Sequence, residues 1–293
     1  FKAYVTQNFK LPFAVLLFGV CLNHSHKFCV LTDFGNNNFD APACLFARPR
    51  PYYVGVVSFF FGENNIGNKS ARFVVLTHGD RDSWGSKNCI VISNIHNFEV
   101  LADVPEQAEY KQIIMLARLM PQKRIDLMID VWAKLADDFP DWHVKVLGEG
   151  LLRQELERKI HSLGLDKVFL LPGEVNDVTK ELQSSDVLCL TSEYEGFGIV
   201  LIEAMAKGIP AMAFEYVGVD DIIRNGEDGV TVPFGDIDEY ARQLRHLLKD
   251  KDLRQKYAKR ALDSVKKFDK QVIMQQWASL FERIAQGKGP DKS

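Results

Sequence analysis

The chain has 293 residues, of which 46% are hydrophobic and 26% charged, a composition typical of a soluble globular protein with room for two domains. Its formal net charge of -3 provides no overall basic field, so we expect no nucleic-acid partner. Five cysteines, an odd number, favour free thiols in a reducing compartment over a disulfide framework, and we therefore expect a cytoplasmic location.

The first part of the chain breaks into short pieces without sustained helical periodicity. Its longest apolar run, residues 11–22, is too short to cross a bilayer as a helix, so it predicts a buried strand or helix. Four side chains follow at a spacing that matches no common zinc pattern, so no metal site is predicted there: Cys21, His24, His26 and Cys29. Because the chain begins with Phe1 rather than Met, we expect a fragment.

From Phe73 onward the pattern becomes regular. Residues 73–77 and 89–93 predict two short buried strands, and the polar residues 102–111, which include one proline, predict a linker. After the linker strands alternate with helices, and the strands are predicted at residues 112–116, 143–148, 168–171, 187–191 and 210–214. This alternation is typical of a doubly wound α/β domain with parallel strands, in which ligands bind outside the carboxyl ends of the strands.

The segment SEYEGFG, residues 192–198, is predicted to be the loop after one of these strands and to lead into a helix near Gly198. Its glycines allow the backbone to approach a ligand closely, and the start of the helix favours an anion. Glu195 lies in the loop and Glu203 about one and a half turns into the helix. Two carboxylates beside an anion site indicate recognition of hydroxyl groups, because each can accept several hydrogen bonds. A ligand with hydroxyls at both ends and phosphate between them is a nucleotide sugar.

A second strand-end loop carries Arg118 and Lys123, after the strand at 112–116. Arginine and lysine at this place can neutralise a diphosphate, one through a planar fork and the other as a point charge. An isolated pair would more often be solvated surface charge. Here two independent strand-end loops indicate the same ligand.

Asp236 and Asp238 form an Asp-x-Asp sequence, which binds a metal ion in one class of enzymes that use nucleotide sugars. They also open a helical run, where aspartates cap the helix and compensate its dipole. We favour capping, and no metal is predicted.

Several segments together resemble, in order and spacing, family 4 of the retaining glycosyltransferases, which have the GT-B fold. The segments are LARLMPQKRIDLMIDVWAKL, VKVLGEG, VFLLPGEVND, LTSEYEGFGIVLIEAMAKGIPAMAF and DIIRNGEDGVTVPFGD, and the resemblance covers about residues 71–286. It implies an α/β protein of GT-B type with four parts: a shortened N-terminal acceptor-side domain (1–101), a linker (102–111), a doubly wound donor-binding domain (112–269), and a C-terminal helix that crosses back, with a tail (270–293).

The resemblance also implies roles for the strand-end residues. Arg118 and Lys123 match the pair that holds the donor diphosphate and stabilises the leaving nucleoside diphosphate. Glu195 matches the residue that binds the hydroxyls of the donor sugar.

The remaining matches concern donor binding. The backbone of Gly196, Phe197 and Gly198 matches the site for the donor sugar and phosphate, and Glu203 matches the carboxylate that binds the ribose. Val175 falls where the family's backbone contacts the base.

The implied reaction transfers a sugar, with retention and without a metal or other cofactor, from a nucleotide diphosphate-sugar to an acceptor hydroxyl. A UDP-sugar is the favoured donor. The resemblance favours bacterial glycan or cell-surface polysaccharide assembly, with a glycan or lipid-linked acceptor and peripheral contact with the inner membrane face.

The N-terminal part departs from the family, because no Gly-rich acceptor loop is visible and the domain is expected to be short. An alternative is therefore a catalytically silent remnant that binds a nucleotide sugar or a partner. The last helix would then leave an apolar patch that favours self-association, made of Val272, Ile273, Trp277, Leu280, Phe281 and Ile284.

Overall fold

The computed structural model describes residues 57–60, 71–84, 89–96, 99–104 and 109–285. The predictions made for residues 11–22 and for the cysteines and histidines of 21–29 lie outside these ranges. The chain divides into two compact units, one formed by residues 1–94 with 271–293 and the other by residues 95–270. No helix within the described ranges is long and apolar enough to cross a membrane.

The first unit contains a three-stranded sheet in the order β1-β2-β3, with β1 antiparallel to β2 and β2 parallel to β3. The two strands predicted at 73–77 and 89–93 are present as β2 and β3, with shifted ends. The elements are β1 (Val57–Phe60), β2 (Ala71–Val75), α1 (His78–Trp84) and β3 (Cys89–Val91).

The last helix, Lys270–Ala285, has the predicted bounds, and we call it α8 to follow chain order. From Gln271 onward its residues belong to the first unit. Ile273, Leu280 and Phe281 are buried, so the prediction of an exposed patch is wrong for these three. Val272 is exposed, because only one side of an amphipathic helix is covered.

The second unit is a six-stranded parallel sheet with helices, as predicted from the alternating pattern. Its strands are β4 (Gln112–Leu116), β5 (His143–Leu147), β6 (Phe169–Gly173), β7 (Val187–Leu190), β8 (Ala211–Phe214) and β9 (Gly229–Val232). Its helices are α2 (Ile125–Ala133), α3 (Arg153–Ser162), α4 (Val178–Gln183), α5 (Ile199–Ala206), α6 (Ile237–Lys249) and α7 (Lys251–Val265).

The core of this unit lies between the sheet and its helices. The strands β7, β8 and β9 are buried at every position, as expected for parallel strands covered on both faces. Trp132 of α2 and Tyr240 of α6 are fully buried in this core. Truncation of such a large buried side chain to alanine typically costs about 3–5 kcal/mol of stability. These residues therefore contribute strongly to the packing of the helices against the sheet.

The strand order β6-β5-β4-β7-β8-β9 reverses direction between β4 and β7. Strands β5 and β6 lie on one side of β4, and β8 and β9 lie on the other side of β7. Such a switch point leaves a crevice at the carboxyl ends of the two central strands, where ligands of open α/β sheets bind. Arg118 and Lys123 follow one of these strands and Glu195 follows the other.

Two described residues at the predicted linker, Leu101 just before it and Glu109 within it, bond to helices of the second unit. The amide of Leu101 donates to the carbonyl of Ala206 at 3.0 Å, and Arg254, buried in α7, pairs with Glu109 at 2.5 Å. A buried guanidinium requires a carboxylate partner, and Glu109 of the polar segment provides it. Glu109, within the predicted linker, is therefore held against α7.

Candidate functional site

The loops that follow β4 and β7 are joined by backbone and side-chain hydrogen bonds. The amide of Glu193 donates to the carbonyl of Gln122 at 2.9 Å, and the Thr191 hydroxyl donates to the carbonyl of Lys123 at 3.0 Å. Because β4 and β7 are neighbours, their carboxyl ends meet at one edge of the sheet. The two constellations that the sequence predicts separately therefore form one site.

At the centre of this site Lys123 and Glu195 form an ion pair, with Nζ and Oε1 2.6 Å apart. The two side chains are only 16% and 12% exposed. The Ser192 hydroxyl donates to the same Oε1 at 2.7 Å. The lysine that was predicted to hold a diphosphate thus has a partner from within the protein.

The backbone beside Lys123 is held in an uncommon conformation. Pro121–Lys123 form a 3-10 turn, and Arg124 then adopts the left-handed region with φ 46° and ψ 44° before α2 begins. Non-glycine residues in this region are strained, and such strain clusters at functional sites. The Arg124 side chain is fixed by Asp126, at 3.0 Å and 3.1 Å from its two oxygens. The turn sets the position of Lys123 opposite the β7 loop.

Arg118 differs from Lys123 in its surroundings. It is exposed just after β4, and its side chain makes no hydrogen bond or ion pair with any residue that the structure describes. Its backbone carbonyl accepts a hydrogen bond from the amide of Met120. An arginine remains charged at any ordinary pH. The site therefore contains one cation with an internal partner and one available to an anion.

The Gly-Phe-Gly segment, residues 196–198, leads directly into α5. Gly198 is the residue before the helix and is left-handed, with φ 78° and ψ 41°, a conformation that glycine adopts without strain. No side chain caps this helix start, and its first turn contains no acidic residue, so its amide groups can face an anion. Phe197 is buried with its ring 5.5 Å from that of Phe268. Gly196, between Glu195 and Phe197, is partly buried.

Glu203 lies in the second turn of α5 and is partly buried. Burial raises the pKa of its carboxyl, and the charge of Lys207 acts in the opposite direction. Within the described ranges it makes no hydrogen bond or ion pair, and the ammonium of Lys207 donates to the carbonyl of Glu99 at 3.0 Å. A partly desolvated carboxylate without a partner is a prepared acceptor for hydroxyl groups.

Val175 follows the edge strand β6, which β5 and β4 separate from β7. It is partly buried, and no hydrogen bond ties it to the residues around the Lys123–Glu195 pair. The structure therefore groups six of the other predicted residues at the central strand ends and leaves Val175 at the periphery.

Asp236 is a helix cap, as predicted: its carboxylate accepts a hydrogen bond from the amide of Glu239 at 2.9 Å at the start of α6. Asp238 lies in the first turn and pairs with Lys134 at 2.9 Å. Among the described residues no group of three His, Cys, Asp or Glu side chains could share a metal ion.

Two residues of the site, Ser192 and Tyr216, were not predicted from the sequence. Ser192 lies in the segment SEYEGFG, and its hydrogen bond to Glu195 reflects the tendency of serine to form local hydrogen bonds in loops. Tyr216 lies two residues after β8, a third strand that ends beside β7. The strand-end rule that selected Arg118 and Glu195 applies equally to Tyr216.

The sequence pattern of the family described as Glycosyl transferases group 1 matches residues 98–263. An exopolysaccharide phosphotransferase of Streptomyces coelicolor is 36% identical over 176 residues, 59% of this chain and 19% of that protein. A poly(ribitol-phosphate) alpha-N-acetylglucosaminyltransferase of Staphylococcus aureus is 26% identical over 272 residues, 90% of this chain and 52% of that protein.

The crystal structure of a TarM mutant from S. aureus, in complex with fondaparinux, alpha-GlcNAc-glycerol and UDP, is similar with a TM-score of 0.65 and 26% identity. The match covers 71% of this chain and 43% of that one. The chain thus spans about a fifth to a half of the length of these three proteins.

These similarities agree with the fold described above. The predicted α/β class, with a parallel sheet and helices of GT-B type, is confirmed. Since the family pattern covers more than half of the residues, the chain belongs to the group 1 glycosyl transferases.

Proposed function

We propose that this chain is the donor-binding part of a retaining glycosyltransferase that moves a sugar from a nucleotide diphosphate-sugar to an acceptor hydroxyl. The observation that carries the proposal is the meeting of Lys123 and Glu195 at the ends of two neighbouring strands, 2.6 Å apart. Cations for a diphosphate and carboxylates for hydroxyls are the groups that a nucleotide sugar requires.

The charges of the site fit the chemistry of the leaving group. Negative charge grows on the nucleoside diphosphate as the bond to the sugar breaks, and positive groups placed there in advance stabilise it. Arg118, Lys123 and the uncapped start of α5 are such groups. The residue expected to touch the reacting sugar is Glu195.

The nucleoside end of the donor is assigned to Glu203. Its carboxylate has no partner among the described residues, and burial raises its pKa, so it is held ready for the two ribose hydroxyls. Hydroxyl donors compensate a desolvated carboxylate. Val175 is proposed to contact the base through its backbone, with Gly196 and Gly198 allowing close approach of the sugar and phosphate.

A UDP-sugar is the favoured donor, because the similar TarM structure contains UDP. The acceptor is proposed to be a bacterial glycan or a lipid-linked precursor of a surface polysaccharide, since the relatives are named for exopolysaccharide and poly(ribitol-phosphate). A lipid-linked acceptor would bring the protein to the inner face of the cytoplasmic membrane.

The transfer is proposed to need no metal, because side chains and a helix start supply the positive charge for the diphosphate. Addition of EDTA is therefore expected to leave the rate of transfer unchanged. A rate that disappears with EDTA and returns with Mn²⁺ would contradict this, and Asp236 and Asp238 would then be tested by alanine replacement.

The decisive experiment has two stages. The shift in melting temperature is first measured with UDP, GDP and ADP and with their glucose, mannose and N-acetylglucosamine derivatives, and UDP compounds are expected to give the largest stabilisation. Products with glycan and lipid-linked acceptors are then identified by mass spectrometry, including the anomeric configuration. Binding without transfer to any acceptor would favour the silent remnant. The absence of any nucleotide binding would reject the transferase and leave only a remnant that binds a partner.

A further inference from the structure

Tyr216 carries a buried hydroxyl beside the proposed donor site. Its side chain is 8% exposed, and its oxygen makes no hydrogen bond with any residue in the described part of the chain. A buried hydroxyl without a partner costs free energy, and native proteins rarely keep one. A partner that the hydroxyl gains only when a ligand is bound would explain why this one is kept.

The hydroxyl lies directly under the start of α5. A Cβ atom added to Gly198 would be 2.2 Å from the Tyr216 oxygen, a distance that no real contact allows. Two features favour glycine at position 198, its left-handed conformation and the closeness of this oxygen. The oxygen is aimed at the same helix start that is proposed to face the donor phosphates.

The carboxylate of Glu195 acts electrostatically on this hydroxyl. Burial and, after it, the charge of Glu195 raise the pKa of Tyr216, so the phenol stays protonated and can donate. Both hydrogen bonds that Glu195 accepts, from Lys123 and from Ser192, go to Oε1. The second oxygen, Oε2, accepts none from the residues that the structure describes.

Binding of a donor would change the partners of Glu195. A diphosphate attracts Lys123, which at present is held by the carboxylate at 2.6 Å. A carboxylate that loses its cation in a partly buried place requires another donor. Tyr216 has a proton to donate and no other acceptor among the described residues.

We propose that Tyr216 is a positioning residue: when the donor diphosphate takes Lys123, the Tyr216 hydroxyl donates to the Glu195 carboxylate and holds it toward the donor sugar. This inference rests on the proposed function, because it needs a nucleotide-sugar donor at this site. It adds a third strand end, that of β8, to the machinery formed by β4 and β7.

The test is Tyr216→Phe, measured by calorimetry with UDP, UDP-glucose, UDP-galactose and UDP-N-acetylglucosamine. The affinity for UDP is expected to fall a few-fold, because its diphosphate also takes Lys123 from Glu195, and the affinity for the preferred UDP-sugar to fall further, about tenfold, because Glu195 is then not held toward the sugar. The melting temperature should be unchanged or higher, because an unsatisfied hydroxyl has been removed. Equal affinity of wild type and variant for all three sugars would overturn the inference.

Tyr240→Phe is the matched control. The Tyr240 hydroxyl is also buried, but it donates to the carbonyls of Met212 and Leu190, at 3.1 Å and 3.5 Å. Its loss should lower the melting temperature and leave the ratio of UDP-sugar to UDP affinity unchanged. A tyrosine with a purely structural role at 216 would behave in the same way.

Two further outcomes separate the possible failures. In a Glu195→Ala background Tyr216→Phe should have no additional effect on sugar affinity, because the hydroxyl acts through that carboxylate; full additivity would overturn the positioning role. A wild-type chain that binds no UDP compound would instead reject the proposed function itself.

Discussion

The β7–α5 loop and the second turn of α5 each carry one carboxylate of the proposed site, in opposite states. Glu195 in the loop is bonded to Lys123 and Ser192, whereas Glu203 in the helix makes no bond with any described residue and has a raised pKa. The first must exchange partners before it can bind a ligand, and the second is open. If the proposed function holds, we expect the sugar end of the site to rearrange on binding and the nucleoside end to need no such exchange.

The largest effect is expected from the two cations. Loss of one charge-assisted contact to phosphate typically costs about 1.5–3 kcal/mol, so Arg118→Ala should weaken UDP binding about tenfold or more. Lys123→Ala should weaken it less, because Lys123 must first give up Glu195. The affinities are measured by calorimetry.

Arg158→Ala provides a charge-matched control for both cations. Arg158 is exposed on α3, and its Nε donates to the carbonyl of Gln154 at 3.2 Å. Its removal should leave the affinity for UDP unchanged. If Arg118→Ala and Lys123→Ala also leave it unchanged, the diphosphate assignment is wrong.

A moderate effect should divide the two carboxylates by ligand. Glu203→Gln should weaken binding of bare UDP several-fold, since ribose hydroxyls lose a charged acceptor. Glu195→Gln should leave UDP affinity unchanged or raise it, because Lys123 is released for the phosphates, and should weaken only the UDP-sugar. Equal effects of each variant on both ligands, measured side by side, would contradict the division.

A smaller effect is expected from pH. Hydroxyl donors favour the ionised form of Glu203, so the affinity of the wild type for UDP should fall as the pH drops from about 8 to about 5, toward the raised pKa of this group. Glu203→Gln should reduce this fall. UDP is titrated into both proteins, so protonation of its phosphates affects both affinities equally. Parallel curves of UDP affinity against pH for the wild type and the variant would show that Glu203 does not contact the nucleoside.

The smallest effect concerns stability without ligand. Because the pKa of Glu203 is raised in the folded protein, the folded state binds its proton more tightly than the unfolded chain, and stability from this group is lost as the pH rises through that pKa. Glu203→Gln should therefore raise the melting temperature slightly at about pH 8 and not at about pH 4. A lower melting temperature at the higher pH would indicate a stabilising partner for this carboxylate.

Much of the second unit could be predicted because its pattern is local. The strand at Gln112–Leu116 and the helix Lys270–Ala285 have the predicted bounds, and Asp236 caps α6. Strand β9 and helix α7 were not predicted. The four-residue strand β9, Gly229–Val232, is stabilised by pairing with β8. A segment of four residues is too short for its own sequence pattern to predict a strand.

Pairs between distant elements could not be predicted in the same way. Within the polar segment predicted as a linker, Glu109 pairs with Arg254 of α7, which is 145 positions away in the chain. Phe197 and Phe268 meet edge to face from α5's loop and a turn near the end of the unit. Such contacts depend on how the helices cover the sheet, and no local spacing encodes that arrangement.

The sequence by itself determined the parallel sheet and the position of Arg118, Lys123 and Glu195 at the ends of strands, because strand and helix periods are short-range and ligand sites of such sheets lie at carboxyl ends. The tertiary structure alone decided which of these side chains contact each other. The Lys123–Glu195 ion pair exists because β4 lies next to β7, and the Tyr216 hydroxyl lies under Gly198 because β8 lies next to β7. Strand order is a property of the whole folded sheet, and it brings together charges that are 72 positions apart in the chain.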